Sequence, residues 1–178
     1  GTGLNDSVVK CINGEGADTL LEGFTITGGS AYQGGGMYNN GTNPTVTDCN
    51  FIDNTAYQGG GMYNDNASPT ITNCKFVDNW GDFECGGMYN DNGSSPTVTD
   101  CTFIGNSAEH HWGAMANLND SDPLVQNCTF LNNTGIADGA GMANRYDSDP
   151  TVINCKFIGN SVINGHGQDY GGGFYTAD

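Results

Sequence analysis

Positive charge is what this sequence has least of. Only 4 of its 178 residues are Lys or Arg, against 20 Asp and Glu, which gives a formal net charge of −16 at pH 7. Nucleic acids and anionic membrane surfaces are bound by clustered Lys and Arg, which neutralise phosphates. We therefore expect no nucleic-acid partner. The acidic composition favours a secreted or cell-surface protein that faces solvent or meets cations.

Long hydrophobic runs are also missing. Hydrophobic residues make up 36% of the chain, and no apolar run approaches the roughly 20 residues that a membrane-spanning helix needs. The sequence therefore predicts no membrane span. The chain starts at Gly1 and shows no signal peptide, so we expect a mature product or a fragment.

What the sequence has in abundance is an internal repeat with a step of 25 to 27 residues. One repeated position holds the cysteines Cys49, Cys74, Cys101, Cys128 and Cys155. A second holds the phenylalanines Phe24, Phe51, Phe76, Phe103, Phe130 and Phe157. A third holds the methionines Met37, Met62, Met88, Met115 and Met142. Apolar residues at such fixed places argue against a disordered polar chain, and the period is typical of stacked repeats.

Both ends of the chain fit the same array. Residues 11–13 lie 26 residues before residues 37–39, and residues 174–176 take up that position again after a longer loop. The repeat therefore predicts a single β-solenoid segment over residues 1–178, with about six coils and no polar cap at either end.

Within each repeat the apolar residues alternate with polar ones. Val46 lies between two threonines, and Cys49 and Phe51 share a face while Asn50 lies on the other. A period of two indicates strands, and Thr, Val, Ile, Phe and Tyr are typical strand residues. One repeat cannot bury its own apolar face. We therefore expect the repeats to stack at ~4.8 Å into parallel sheets around one core, which is an all-β solenoid.

Asparagine or aspartate marks three places in each repeat. The first set is Asn39, Asn64, Asn90, Asn117 and Asn144; the second is Asp48, Asn73, Asp100, Asn127 and Asn154; the third is Asn54, Asn79, Asn106, Asn133 and Asn160. Asn tolerates left-handed backbone at corners, and stacked Asn side chains form hydrogen-bonded ladders. Three corners in about 26 residues predict a three-sided coil with Phe, Met, Val and Cys inside.

The repeated cysteines are interpreted as free thiols that act as small core hydrophobes. A disulfide between neighbouring coils stays an alternative, although its geometry is demanding. Cys85 is different because it replaces a glycine in a variable loop. Cys85 is therefore a candidate for a reactive or pairing thiol.

Two motifs recur in phase along the chain. G-G-x-hydrophobic begins at Gly35, Gly60 and Gly86, and F-x-x-N begins at Phe51 and at each later Phe of the series. These paired motifs resemble the repeats of chlamydial polymorphic outer membrane proteins and of related bacterial β-helix repeat proteins. The resemblance covers nearly the whole chain. It implies a right-handed parallel β-helix, a secreted or surface location, and an adhesive or passenger role.

The β-helix architecture is also similar to that of pectate lyases and polygalacturonases, which act on acidic polysaccharides. Such enzymes need grouped carboxylates, or Ca²⁺ together with a basic residue. Asp53 and Asp78 fall on neighbouring coils, but the next coil has Gly105 at that place. No two of the four basic residues fall on neighbouring coils: Lys10, Lys75, Arg145 and Lys156. We therefore expect no catalytic residues and no enzyme activity.

The variable loops carry the remaining unusual side chains, namely Asp82, Glu84, His110, His111, Trp112, His166 and Asp169. His110 and His111 are adjacent, so on a strand they would point in opposite directions, which disfavours a metal pair. We expect no cofactor and no bound metal. The alternative is a Ca²⁺ site made of Asp carboxylates and backbone carbonyls.

Four N-x-S/T sequons follow the Met strands, at Asn40, Asn66, Asn92 and Asn119. In a glycosylating source they would give a row of glycans along one edge. The alternative is that Asn, Gly and Ser simply form turns there. Tyr38, Tyr63 and Tyr89 also line up beside the Met strands, and such a ladder either stacks on sugars or stabilises the sheet.

The leading hypothesis is a non-enzymatic extracellular β-solenoid with a structural or adhesive role, such as a stalk, an adhesin passenger or a filament protomer. Uncapped solenoid ends expose strand edges, which more of the same chain or a second copy must cover. Head-to-tail self-association that does not close produces a filament. The alternative is a carbohydrate-binding or polysaccharide-degrading β-helix protein.

Overall fold

The computed structural model describes residues 6–136, 138–163 and 172–177, and within these ranges the chain folds into strands without a helix. The strands are β1 (Val9–Cys11), β2 (Leu20–Glu22), β3 (Thr25–Thr27), β4 (Ser30–Gln33), β5 (Met37–Asn40), β6 (Thr45–Thr47), β7 (Asn50–Ile52), β8 (Thr55–Gln58), β9 (Met62–Asp65), β10 (Thr70–Thr72), β11 (Lys75–Val77), β12 (Trp80–Gly81), β13 (Met88–Asp91), β14 (Thr97–Thr99), β15 (Thr102–Ile104), β16 (Ser107–Ala108), β17 (Met115–Leu118), β18 (Leu124–Gln126), β19 (Thr129–Leu131), β20 (Thr134–Gly135), β21 (Met142–Arg145), β22 (Thr151–Ile153), β23 (Lys156–Ile158), β24 (Ser161–Val162) and β25 (Phe174–Ala177).

These strands form four parallel sheets in which every strand pairs with its counterpart one coil away. Sheet A has seven strands in the order β1-β5-β9-β13-β17-β21-β25. Sheets B, C and D have six strands each, beginning with β2, β3 and β4 and continuing with every fourth strand. Each turn of the chain therefore visits sheets A, B, C and D in order. This confirms the predicted parallel β-solenoid of about six coils.

The fourth side of the coil comes from residues that the sequence pattern assigns to variable loops. Thr55–Gln58 and Trp80–Gly81 are β8 and β12 of sheet D, and the later loops begin in the same way. The asparagine spacing marks the corners before this segment but not the segment itself. Its strands are only two to four residues long and alternate too briefly to show a period.

The core consists of columns of identical or similar side chains from successive coils. The Phe rings of sheet C stack with centroids 4.7 to 4.8 Å apart from Phe51 through to Phe157. The Met side chains of sheet A and the Val and Ile side chains of sheet B are buried against them. The cysteines stand at the bend between sheets B and C, and Cys49, Cys74, Cys101 and Cys128 are fully buried. The alternation that predicts strands therefore also predicts which faces are buried.

The first coil departs from the register that residue spacing predicts. Phe24 is expected beneath Phe51, but Ile26 pairs with Phe51 and is buried, whereas Phe24 is 56% exposed. Residues 11–13 are expected beneath residues 37–39, but Val9 pairs with Met37. Both predictions were wrong because this coil lacks the G-G-M and F-x-x-N motifs that fix the register elsewhere. At the other end Phe174 pairs with Met142, in the predicted position.

The corners are turned by residues with left-handed backbone. Asp48 and its counterparts before each later Cys have φ between 53° and 56°, which agrees with their predicted corner role. At the F-x-x-N corner, however, the left-handed residue is the one before the final Asn: Asp53, Asp78, Gly105, Asn132 or Gly159. The final Asn instead turns its side chain inward. That placement builds the polar columns described next.

Candidate functional site

Two columns of buried asparagines run along the inside of the solenoid. At the end of sheet A, each Nδ2 donates to the Oδ1 of the next coil over 2.7 to 2.8 Å, from Asn39 to Asn144. At the corner between sheets C and D, Asn54 and its counterparts make the same bond at 2.8 to 3.1 Å. Their Nδ2 also donates to a carbonyl of the preceding coil, which is that of Ile26 for Asn54 and that of Phe51 for Asn79. In both columns the buried amides are hydrogen-bonded from coil to coil, which stiffens the rod. The columns do not expose functional groups to solvent.

The outer face of sheet D carries an aromatic ladder. Tyr32 stacks on Tyr57 at 4.9 Å, Tyr57 stacks on Phe83 at 5.1 Å, and His110 lies tilted 5.2 Å from Phe83. These four side chains, here called the sheet D ladder, are exposed or half-buried. The ladder was not predicted from the sequence. Its signal was the step of 25 and 26 residues between Tyr32, Tyr57 and Phe83.

A polar row flanks the sheet D ladder. Gln33 donates to Gln58 at 3.3 Å, and Gln58 donates to Glu84 at 3.3 Å. Beside Tyr32 lies a cavity of about 260 Å³, lined by Asp6, Ser7, Lys10, Ala31, Tyr32, Gln33 and Tyr38. The aromatic rings can stack on an apolar face of a ligand. The amide, carboxylate and ammonium groups beside them can form hydrogen bonds with its hydroxyls.

The Tyr38, Tyr63 and Tyr89 ladder is present on sheet A, as its spacing indicates, but two of its three rings are covered and Tyr38 is half-buried. Tyr63 and Tyr89 are only 2% and 3% exposed, since they pack in a cluster with Trp112 and Leu118. The Tyr63 hydroxyl donates to Asp91 at 3.1 Å. Burial and the nearby carboxylates raise the pKa of both buried tyrosines. Their rings therefore cannot stack on a sugar.

Trp112 and its neighbours form a lid over the outer face of sheet A. Trp112 is 3% exposed and its Nε1 has no hydrogen-bond partner. His111 lies 5.0 Å from Trp112, and its Nδ1 is also unpaired. Asp138 pairs with Arg145 at 3.7 Å at the same end of the sheet. Burial lowers the pKa of His111, which favours the neutral imidazole.

His110 and His111 do not form a metal centre with the described loop carboxylates. His110 belongs to the sheet D ladder, while His111 faces Trp112. Across the described ranges, no group of three or more His, Cys, Asp or Glu side chains is arranged to hold a metal ion. The other loop candidates, His166 and Asp169, lie outside the described residues.

The sequon asparagines lie at the corner between sheets A and B, but only three of them stack. Asn66, Asn92 and Asn119 all have left-handed φ near 50°, whereas Asn40 is one position earlier and pairs with Asp65. The expected row of four was therefore wrong by one residue at its first member. Gly41, the fourth residue after Met37, takes the left-handed place that Asn66 takes as the fourth residue after Met62, so this sequon begins one position earlier than the others.

The hydroxyls of these sequons have structural partners. Thr42 donates to the Cys11 carbonyl at 2.9 Å and is buried, and Ser94 and Ser121 are also buried and donate to backbone carbonyls. The turn geometry therefore accounts for Ser and Thr at this place without a glycan. All four asparagines are themselves exposed.

The cysteines are free, and Cys85 is fully buried. Its Sγ lies 3.2 Å from the Met88 carbonyl, and burial raises the pKa of its thiol to about 12. A buried thiol with a raised pKa is a poor nucleophile, which disfavours a reactive role for Cys85.

Comparison with known families decides the fold. The family model of the right-handed β-helix region matches residues 7–111, which is more than half of the chain. The chain belongs to the right-handed β-helix family. No curated protein and no solved structure matched it. The family includes both structural and polysaccharide-degrading proteins, so membership leaves the activity of this β-helix open.

The candidate carboxylate pair of this β-helix lies at the corner between sheets C and D. Asp53 and Asp78 occupy equivalent left-handed positions on neighbouring coils and are both exposed. Gly105 follows in the next coil, so the row ends after two carboxylates. The described residues also contain no helix that is long and apolar enough to cross a membrane.

Proposed function

We propose that this β-helix is a non-enzymatic structural or adhesive element of a secreted or cell-surface protein. The observation that carries the proposal is the continuity of the internal columns. Asn, Phe, Met and Cys side chains are stacked coil over coil, so most positions serve the rigidity of the rod. Such a rod suits a stalk or a passenger that holds contact surfaces away from their base.

The recurring G-G-x-hydrophobic and F-x-x-N motifs support a finer assignment within the β-helix class. Gly61 lies against Gly87 and the Phe76 ring, where a side chain would not fit, and Phe76 stacks in the core. Each motif thus has a packing role that repeats in phase. The same pairing of motifs marks the polymorphic outer membrane protein repeats, which supports an adhesive passenger role.

The location and the absence of catalysis can be tested together. Antibodies against the folded chain should label intact, unpermeabilised cells of the organism that produces it, and the purified chain should leave pectate and polygalacturonate intact. Labelling that needs permeabilised cells would contradict the surface location. Cleavage of either polymer that Asp53→Asn and Asp78→Asn abolish would contradict the non-enzymatic role.

Head-to-tail self-association is part of the same proposal. The two axial ends expose apolar side chains, including Leu20 and Phe24 at one end and Ile158 and Phe174 at the other. A further coil or a second copy of the chain would cover them. Sedimentation over a range of concentrations and negative-stain images should show end-to-end chains. A monomer at every concentration would contradict self-association of this segment.

Among the four sequon sites, we propose that Asn66 is the one glycosylated most readily. Asn92 donates its Nδ2 to Asp65 at 2.7 Å and Asn119 donates to Asp91 at 2.6 Å, whereas the Asn66 side chain makes no such bond. In a glycosylating host, the mass of Asn66→Gln should fall by one glycan. Full occupancy of Asn92 or Asn119 with none at Asn66 would contradict this order.

A second candidate function is glycan binding, favoured by the sheet D ladder and the cavity at Tyr32. A glycan array should give hits that Tyr57→Asn removes. Tyr146→Asn is the matched control because Tyr146 is 50% exposed but lies away from the ladder. Binding that both variants retain, or an array without hits, would remove this candidate.

A further inference from the structure

Five cysteines form one continuous column at the bend between sheets B and C. The amide after each cysteine donates to the carbonyl of the cysteine one coil before, as from Lys75 to Cys49 at 2.9 Å and from Lys156 to Cys128 at 2.9 Å. Equivalent bonds link Thr102 with Cys74 and Thr129 with Cys101 at 3.0 Å. Neighbouring cysteines are therefore one strand spacing apart, about 4.8 Å between Cα atoms.

This spacing falls within the range of about 4.4 to 6.8 Å between Cα atoms at which disulfides form. The Sγ atoms keep to the same column: that of Cys101 accepts from the Cys74 amide at 3.4 Å, and those of Cys128 and Cys155 lie against carbonyls of the preceding coil, Val98 at 3.6 Å and Val125 at 3.5 Å. Closing a bond needs rotation of a thiol about its Cα–Cβ bond rather than movement of a coil. The two remaining cysteines have no cysteine neighbour, since Cys11 pairs with Asn39 and Cys85 lies beside Met88.

Access to solvent differs along the column. Cys49 is 0% exposed and Cys74, Cys101 and Cys128 are 1% exposed. Cys155 is only half-buried. While this axial end is uncovered, a dissolved oxidant therefore reaches Cys155 first, and the thiol directly beside it is that of Cys128.

We propose that Cys128 and Cys155 form an oxidation site, at which a low-molecular-weight disulfide converts the two thiols into a disulfide between neighbouring coils. The Cys155 thiolate attacks the oxidant, forms a mixed disulfide and releases one small thiol. The Cys128 thiolate then attacks the Cys155 sulfur and displaces the second small thiol. The chain loses two electrons and two protons, and the oxidant takes up both as two thiols.

The other three cysteines of the column stay reduced while the solenoid is folded, because no oxidant reaches them. Burial raises the pKa of the Cys155 thiol, so the first step is slow near neutral pH. Its rate should rise about tenfold per pH unit below that pKa, since only the thiolate reacts. The inference does not depend on a surface location, although an oxidising compartment would preserve the bond.

The test is oxidation of the folded 178-residue chain with excess oxidised glutathione at about pH 8.5, near the ordinary pKa of a thiol. After alkylation of the remaining thiols and cleavage, peptide mapping should find Cys128 joined to Cys155 and the other five cysteines alkylated. Two glutathione thiols should be released per chain. The disulfide should also raise the thermal midpoint, by roughly 5 to 10 °C.

Three variants complete the test. Cys128→Ser should trap glutathione as a mixed disulfide on Cys155. Cys155→Ser should form no mixed disulfide and release no glutathione. Cys85→Ser should behave like the parent. The proposal is overturned if the parent carries glutathione on Cys155 without a linkage, if the linkage joins other cysteines, or if no thiol reacts. Because the parent alone gives a decisive result, poor folding of a variant does not remove the test.

Discussion

At the residue scale, every polar side-chain atom of the asparagine column at the corner between sheets C and D, from Asn54 to Asn160, has a hydrogen-bond partner. Asn106 shows the rule: its Oδ1 accepts from Asn79, and its Nδ2 donates to Asn133 at 3.0 Å and to the Phe76 carbonyl at 2.9 Å. An unpaired buried group costs about 1–3 kcal/mol, so the loss of one member should affect several neighbours at once.

Asn106→Ala should therefore lower the free energy of unfolding by roughly 3 kcal/mol or more. Urea denaturation followed by circular dichroism measures it. Asn50→Ala is the control, because Asn50 lies half-buried on the outer face of sheet C, and its loss should cost within about 0.5 kcal/mol. Equal effects of the two substitutions would show that the inner column does not stabilise the fold.

The buried tyrosines predict a loss of stability at alkaline pH. The pKa of Tyr63 and Tyr89 is raised by burial first and then by Asp91 and Glu84, so the folded chain keeps protons that the unfolded chain releases. Their contribution is complete below the unfolded pKa of about 10 and falls above it, by about 1.4 kcal/mol per pH unit for each tyrosine.

Denaturation midpoints measured from about pH 8 to 12 should therefore fall steeply above about pH 10. Tyr89→Phe should make the decline shallower. Tyr146→Phe serves as the control because Tyr146 is exposed and should leave the slope unchanged. An unaltered slope in Tyr89→Phe would contradict the view that the buried tyrosines cause the loss of stability at alkaline pH.

At the scale of the strand, the Phe column of sheet C should tolerate shape changes better than loss of volume. Phe103→Ala should cost about 3–5 kcal/mol, because the neighbouring coils cannot close the gap between Phe76 and Phe130. Phe103→Ile should cost less, about 1–2 kcal/mol, since Ile26 already fills the same place against Phe51. Thermal unfolding of the two variants measures the difference, and an equal cost would contradict it.

The sequence predicts sheets A, B and C well because each has a repeated apolar residue at a fixed step. Sheet D escaped prediction because its inner residues are small, such as Ala31, Ala56 and Gly81, and carry no apolar signal. The Tyr63 and Tyr89 ladder was predicted but not its burial, since the Trp112 lid comes from a loop without a repeat. Local alternation thus predicts the coil, whereas contacts between loops decide which faces stay open.

At the scale of the whole molecule, the repeat predicts that a coil can be removed in register. Deleting residues 50–74 joins Cys49 to Lys75, which takes the place of its sheet partner Asn50. The shortened chain should still fold as a β-solenoid, with lower stability because one interface between coils is lost. Deleting only residues 50–73 shifts the alternation by one and should abolish cooperative unfolding. Far-ultraviolet circular dichroism and melting curves distinguish the two, and similar behaviour would contradict stacking in register.

The inner asparagine columns also give the rod a direction. In the column from Asn54 to Asn160 every amide points the same way along the axis, and the backbone bonds of each Oδ1 and Nδ2 forbid a flip. Side-chain dipoles aligned in this way add up, so the acceptor side of the column faces the β1 end of the rod and the donor side faces the β25 end. In the column of sheet A the Asn39 Oδ1 is the first acceptor; it is buried inside the rod, where Cys11 of the preceding coil pairs with Asn39, and it has no donor. A copy stacked head to tail keeps these dipoles aligned, whereas a reversed copy sets like dipole ends against each other, so assembly with reversed polarity is electrostatically disfavoured.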